Sequence, residues 1–342
     1  MKSSLVLPPL SALYGAAIRA RLAAYSRGLL SSTQLSVPVI SIGNLTVGGT
    51  GKTPLVEKVC RILAVKGRKV CVLTRGYRRE NASARVLVSD GQSIQAIEKE
   101  SGDEPFLLAE KLLGIAAVIS DADRTAAGEW AIEELNIDAF VLDDGFQHLQ
   151  LARDLNLVAI DATDPWGGNK LLPLGRLREP RSSLKRADCV VITRAEMRDV
   201  AGILNDLQRL VKGRPILISR MVPGALKTLA GEIVKVSDIP QPIAPFCGVG
   251  NPESFYHLLR CAGLVLIGTR SLADHHRYSQ DEINEIAAEA RRSGAHSLIT
   301  TAKDAVKLRE LKFSMPCFVQ EIEIQFDDDA VLHKLLHGAL TN

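Results

Sequence analysis

The residue pattern predicts an α/β protein in which a doubly wound, mostly parallel sheet is followed by a second, smaller α/β domain. Short β-branched apolar runs at 37–42, 70–74, 116–120, 139–142, 157–160, 189–193 and 216–219 alternate with longer helical patterns. That rhythm belongs to strand, crossover helix and parallel strand in repetition. A glycine-rich turn ending in Gly51-Lys52-Thr53 stands between the first run and the first helical pattern. After a break at Val222-Pro223-Gly224 a second series of runs begins, at 243–249, 264–268, 297–300 and 317–324.

The crossover helices are expected at 54–66, 104–113, 124–135 and 200–211, which places a first domain at 1–222 and a second at 223–342. In the second, helices are expected at 252–262 and 280–293, the latter opened by Ser279 and Glu282 at capping-box spacing. A length of 342 residues suits two domains. With 46% apolar, 24% charged and 4% aromatic residues the composition is that of an ordinary globular chain. The apolar runs are far shorter than the roughly 20 residues of a membrane-spanning helix. Cys60, Cys71, Cys189, Cys247, Cys261 and Cys317 are scattered without a C-x-x-C pair. They read as buried, reduced thiols, which fits a cytoplasmic setting.

Net charge is only +3, but no acidic residue precedes Glu57 while Lys2, Arg19, Arg21, Arg27 and Lys52 are basic. The segment of about 1–30 is therefore expected to be a basic amphipathic helix, lying either on an anionic lipid surface or on the body of the protein. Pro8 and Pro9 interrupt its apolar stretch and argue against a signal peptide. Neither nucleic acid nor an obligate protein partner is called for.

The run Thr46-Val47-Gly48-Gly49-Thr50-Gly51-Lys52-Thr53 has the composition of a P-loop. Glycines let backbone N–H groups converge on phosphate oxygens, and the helix amino end adds partial positive charge. Lys52 reaches the β- and γ-phosphates and Thr53 ligates Mg²⁺. Thr46 departs from the usual glycine of the first position. The expected cofactors are ATP and Mg²⁺. A carboxylate at the end of a neighbouring strand should help hold the cation. Asp143 and Asp144 are preferred over Asp161, because adjacent acids at a strand's carboxyl end are costly without one.

With Asp143-Asp144-Gly145-Phe146-Gln147-His148 in view, the chain resembles the tetraacyldisaccharide 4'-kinases. The likeness runs from Gly43 to Pro54 and through Thr74-Arg75-Gly76-Tyr77, Gly102-Asp103-Glu104-Pro105 and Leu177-Arg178-Glu179-Pro180. Asp274-His275-His276 and Thr301-Ala302-Lys303-Asp304 complete it. Thr or Ser at the first loop position is a mark of that family. The resemblance implies transfer of the ATP γ-phosphoryl group to the 4'-hydroxyl of an acylated glucosamine disaccharide 1-phosphate, on the cytoplasmic face of the inner membrane. A sugar hydroxyl has a high pKa and needs a positioned base. The family's aspartate and assisting histidine match Asp103 and His275, although His276 is adjacent and Asp103 also suits a helix N-cap. The matched motif puts Arg178 on phosphate oxygens and Glu179 in the Mg²⁺ shell. Arg124 is a further phosphate clamp, and Gln147 and His148 are expected on the acceptor side.

For the base, Thr193-Arg194-Ala195-Glu196 lacks the guanine-reading residues, which favours ATP, and Tyr77 is the expected contact. A nucleotide-hydrolysing switch and a soluble P-loop synthetase are the competing classes.

Overall fold

The computed structural model describes residues 7–76 and 79–341, so the expected contact at Tyr77 lies outside the described residues. In chain order the first part comprises α1 (Leu7–Ser26), β1 (Val39–Asn44), α2 (Lys52–Val65), β2 (Val70–Thr74), β3 (Val86–Ser89), α3 (Glu98–Ser101), α4 (Asp103–Lys111) and β4 (Ala116–Ser120). It continues with α5 (Arg124–Leu135), β5 (Ala139–Asp143), β6 (Leu155–Asp161), β7 (Cys189–Thr193) and α6 (Ala201–Leu210). Strands β1, β2, β4, β5, β6 and β7 are buried along their whole lengths. Covering by helices on both faces is what makes such strands read as continuous apolar runs.

The second part holds β8 (Ile216–Thr228), β9 (Ile233–Val234), β10 (Ile243–Cys247), α7 (Pro252–Cys261), β11 (Arg270–Ser271), α8 (Gln280–Arg292), β12 (Ser297–Thr301), α9 (Ala302–Ala305), β13 (Cys317–Phe326) and α10 (Asp329–Thr341). Among the described residues one 13-stranded sheet runs β11-β10-β12-β13-β8-β7-β6-β1-β5-β2-β4-β3, with β9 on β8. Most pairs are parallel, and β3 with β4, β8 with β9, and β8 with β13 are antiparallel.

The break expected at Val222–Gly224 falls inside a strand. β8 pairs with β7 through 216–218 and with β13 through 219–228, so one strand belongs to both halves. The interval 223–342 is also not one packing unit, because Ile324, Phe326, Leu332, Leu336 and Ala339 share a core with Leu55, Val59 and Leu63 of α2. The second half has its own cores where α8 packs on β10 and β12, and where α7 packs beside β10. No strand forms at 264–268; Leu266 makes only an isolated bridge to Ile243. The capping box is half built: Ser279 accepts from the Glu282 amide, but the Glu282 carboxylate is taken by His276. Cys261 is exposed, whereas the other cysteines are buried and all six are free.

Helix α1 corrects the amphipathic expectation, since its apolar residues are spread around it. The Ser11 hydroxyl donates to the Leu171 carbonyl and the Tyr14 hydroxyl to that of Arg178, which fixes one side to the body. Leu10 and Leu13 on it remain 46% and 69% exposed. Among the described residues no helix is long and apolar enough to cross a membrane.

Gly43, near the end of β1, has no room for a side chain: a Cβ there would lie 2.5 Å from both N and Cβ of Phe146. Gly43→Ala should lower unfolding stability by about 1–3 kcal/mol. A urea titration followed by tryptophan fluorescence measures this, and an unchanged midpoint would contradict it.

Candidate active site

The phosphate loop is built where β1 ends between β5 and β6, the place at which ligands gather in open parallel sheets. Gly48 and Gly51 take φ of 108° and 74°, values that side-chain-bearing residues rarely adopt. Gly51 caps α2, so the first free amides of that helix face the loop. Asn44 organises the loop from below: its amide donates to the Thr46 carbonyl, and its oxygen accepts from Lys52 Nζ at 3.0 Å. Thr193 holds the far side through the Thr50 carbonyl. Val47, Gly48, Gly49, Thr50, Gly51, Lys52 and Thr53 line a cleft of about 810 Å³. Thr46 is buried beneath, bridged to Leu177, and does not line it.

Asp143 and Asp144 enter the same cleft from the end of β5. Burial, with Glu104 and Asp144 nearby, raises the Asp143 carboxyl to about 6 despite Lys52 and Arg124. Asp144 is opposite in character: it too is buried, but Lys52 Nζ at 3.3 Å and an Arg178 guanidinium at 2.6 Å hold it well below the usual carboxylate range. Its Oδ1 has no hydrogen-bond partner among the described residues. An acid destabilised as an anion beside a carboxylate whose Oδ1 is approached by Lys52, in a cleft that Thr53 also lines, fits the all-oxygen donor set of Mg²⁺. Asp161 is committed elsewhere, to an ion pair with Arg194.

The opposite wall comes from α4 and the second half. Asp103 is the first residue of α4, capped by Gly102 rather than capping it, and the residue is 5% exposed. His275 Nδ1 lies 2.7 Å from Asp103 Oδ2, although the residues are 172 positions apart. Burial raises the Asp103 carboxyl, but the hydrogen bond from His275 and nearby positive charge, Lys303 foremost, outweigh it and hold it below its ordinary value. His275 sits at φ 61°, a strained conformation for a residue other than glycine. Its amide donates to the Gly248 carbonyl, while the Gly248 amide donates to buried Asp304. His276, the adjacent alternative, turns away to Glu282. His275 and Glu104 line the cleft, and Asp103 lies directly behind them.

The remaining expected residues divide. Arg124, Gln147, His148 and Arg178 line the cleft. Arg124 is almost wholly buried and donates to the Asp144 carbonyl, and the Gln147 amide donates to the Asn44 carbonyl. Glu179 does not line the cleft. Its buried carboxylate accepts from Arg186 at 2.8 Å, so its own arginine satisfies it and the place expected in the Mg²⁺ shell is not supported.

The family model described as Tetraacyldisaccharide-1-P 4'-kinase matches residues 3–341. The chain belongs to the tetraacyldisaccharide 4'-kinase family. The kinase of that name from Geobacter metallireducens is 42% identical over 303 residues, 89% of this chain and 88% of its own. The one from Pelobacter propionicus is 39% identical, with 98% and 92% covered. The solved structure of LpxK from Aquifex aeolicus in complex with ATP superposes with a TM-score of 0.79 at 31% identity, covering 99% of each chain. As a member of the tetraacyldisaccharide 4'-kinase family the chain is an ATP-dependent kinase.

Sequence reading missed several residues of the site. Tyr14, Ile18 and Arg21 of α1 line the cleft, as do Thr74 and Arg75. Arg194, read only for base recognition, bonds the Gly49 carbonyl at 2.8 Å and Ser254 of α7 at 3.1 Å. Its positive φ of 57° in a sequence directly following a strand is a signal only a structure carries.

His148 is lowered to about 4 by burial and by Arg124 and Arg153, so the folded ring is neutral. The unfolded ring takes up a proton near pH 6.5, so the folded state binds fewer protons between about 4 and 6.5 and stability falls as pH drops through that window. Relative to His148→Gln, the native chain should lose stability at up to about 1.4 kcal/mol per pH unit there, less whatever solvent screens. Parallel urea titrations at pH 5 and pH 7 test it, and equal pH slopes would overturn it.

Proposed function

We propose that this chain transfers the γ-phosphoryl group of ATP to the 4'-hydroxyl of a tetraacylated glucosamine disaccharide 1-phosphate, making a lipid A precursor of lipopolysaccharide. One observation carries the mechanism. The phosphate loop, the paired acids at the end of β5 and His275 all border one cleft, and Asp103 is hydrogen-bonded to the His275 ring from behind.

Loop amides and Lys52 take the β- and γ-phosphate oxygens, and Thr53, Asp143 and Asp144 are the residues that would hold Mg²⁺. A cation held by them would supply positive charge against the phosphate oxygens. Arg178 and Arg124 bring further positive charge to the same end of the cleft. The acceptor O4' forms its bond to phosphorus as the bond from phosphorus to the β-phosphate oxygen breaks. The hydroxyl proton passes to the Asp103–His275 pair, and ADP leaves. Acceptor chemistry distinguishes this reading from a nucleotide switch, which has no use for a second pair of proton-handling groups facing the loop.

The pair is assembled from both halves, so we read the chain as two lobes joined through β8 and β13 whose approach completes the site and excludes water. The 1–222 and 223–342 division then applies to the lobes only up to β13, after which the chain returns to the first core.

We place the protein on the cytoplasmic face of the inner membrane as a peripheral enzyme. Support comes from α1, whose Tyr14, Ile18 and Arg21 line the cleft while Leu10 and Leu13 stay exposed, followed by Leu29 and Leu30 at 75% and 46% exposure. An apolar surface of this kind beside the cleft suits contact with acyl chains.

Labelled ATP and a detergent-dispersed disaccharide acceptor, with thin-layer separation of the lipid, test the reaction; label released only as free phosphate would defeat it. Asp103→Asn and His275→Ala should each lower kcat by about 10²–10⁴-fold with little change in the KM for ATP. Leu10→Glu with Leu13→Glu should weaken vesicle binding and leave turnover of a short-chain acceptor intact, and equal losses in both would contradict the membrane role.

A further inference from the structure

Lys303 stands at the junction of the lobes and has no task in the transfer as described. Its side chain is 17% exposed, and Nζ lies 2.9 Å from Glu104 Oε1, 3.1 Å from Asp274 Oδ1 and 3.2 Å from His275 Nε2. Burial alone would favour the neutral amine, but Glu104, Asp274 and Asp103 outweigh it and keep the group charged. An ammonium has hydrogens to give and no lone pair, so at this contact Nε2 is the acceptor. The ring proton then sits on Nδ1, within 2.7 Å of the Asp103 carboxylate. Every atom of the imidazole that can exchange a proton is thereby spoken for.

The charges facing the ring come from each neighbouring element. Asp103 and Glu104 project from α4, the latter 3.9 Å from Nε2, and Asp274 of the preceding turn is 4.0 Å from it. Lys303 comes from α9, and Lys307, just beyond, is 3.8 Å from Asp103 Oδ2. Among the described residues, removing Lys303 would leave Nε2 facing the Glu104 and Asp274 carboxylates, an arrangement that favours a proton there.

We propose that Lys303 is the positioning residue of the Asp103–His275 pair: by donating to Nε2 it holds the ring neutral as the Nδ1–H tautomer, so that the acceptor's proton goes to Asp103. Because Lys303 and His275 belong to one lobe while Asp103 and Glu104 belong to the other, the arrangement exists only when the lobes meet. It rests on the reading of that pair as the proton acceptor. Charge balance follows: Asp103 gains the proton and becomes neutral while the ring and the ammonium keep theirs. A protonated ring would instead hold Asp103 as a spent ion pair, poorer as a base.

The test uses the full chain with Lys303→Met, Lys303→Arg, His275→Ala and the Lys303→Met/His275→Ala double variant. Lys303→Met should lower kcat at pH 7 by about 10- to 100-fold, leave the KM for ATP within about twofold, and move the acidic limb of the kcat/KM profile upward by about one pH unit or more. Lys303→Arg should return the limb close to its native position. In the His275→Ala background the further loss from Lys303→Met should stay within about twofold, because a group acting through the ring has nothing left to act on. Nitrogen-15 histidine spectra, with the His275 signal assigned by its loss in His275→Ala, should show the Nδ1–H tautomer in the native protein and imidazolium at pH 7 in Lys303→Met. A native Nε2–H tautomer would overturn the proposal even if Lys303→Met failed to fold. An unmoved limb, or a large rise in the KM for ATP with the profile unchanged, would overturn it and leave the Asp103–His275 reading standing. Full activity in His275→Ala would overturn both.

Discussion

Everything distinctive about this site depends on β8 being shared. Its first residues continue the parallel sheet beside β7, and its remainder turns to antiparallel pairing with β13. Because one strand is hydrogen-bonded into both halves, the second half stays tethered beside the first, and the turn at 248–250 lies against the phosphate loop. A Cβ on Gly250 would lie 3.1 Å from the Gly49 amide nitrogen, so backbone meets backbone there. From the same half, His275 reaches Asp103 and Lys303 reaches Glu104.

The second organising feature is charge held at the end of β5. Asp143 is driven toward its neutral form while its neighbour Asp144 is held ionised by Lys52 and Arg178. Two chemically identical, equally buried side chains, adjacent in the chain, thus differ because Lys52 and Arg178 outweigh burial at Asp144, whereas burial and Glu104 outweigh the cations at Asp143. The loop lysine is paired with Asp144 at 3.3 Å, and in the proposed reaction nucleotide binding would exchange one anion for another at Nζ.

Local signals were the ones legible in the residues. Parallel strands announced themselves as apolar runs because both their faces are covered, and the glycine spacing of the phosphate loop needs no tertiary information. The α5 boundaries were readable because Asp123 caps the helix with its own side chain. What was not legible was pairing at long range. Nothing near Val222 says that the chain continues as a strand, since the partner strand β13 lies about a hundred positions on. The direction of Glu179 was illegible for a related reason: adjacency to Arg178 in a motif says nothing of direction, and the two side chains leave the backbone toward different partners, Asp144 and Arg186. Lys303 and Glu104 stood inside quoted motifs, but only the folded chain puts them 2.9 Å apart.

Helix α1 contributes a wall to the cleft and an apolar exterior in the same few turns. A molecule with a sugar head and long acyl tails can be held by such a wall without leaving the surface it is dissolved in. On the proposed membrane placement, the quantity setting the rate would be the number of acceptor molecules per unit area of membrane, while ATP would be sampled from the water. Two substrates of one reaction would be counted in different dimensions, and a helix twenty residues long is where the two scales are joined.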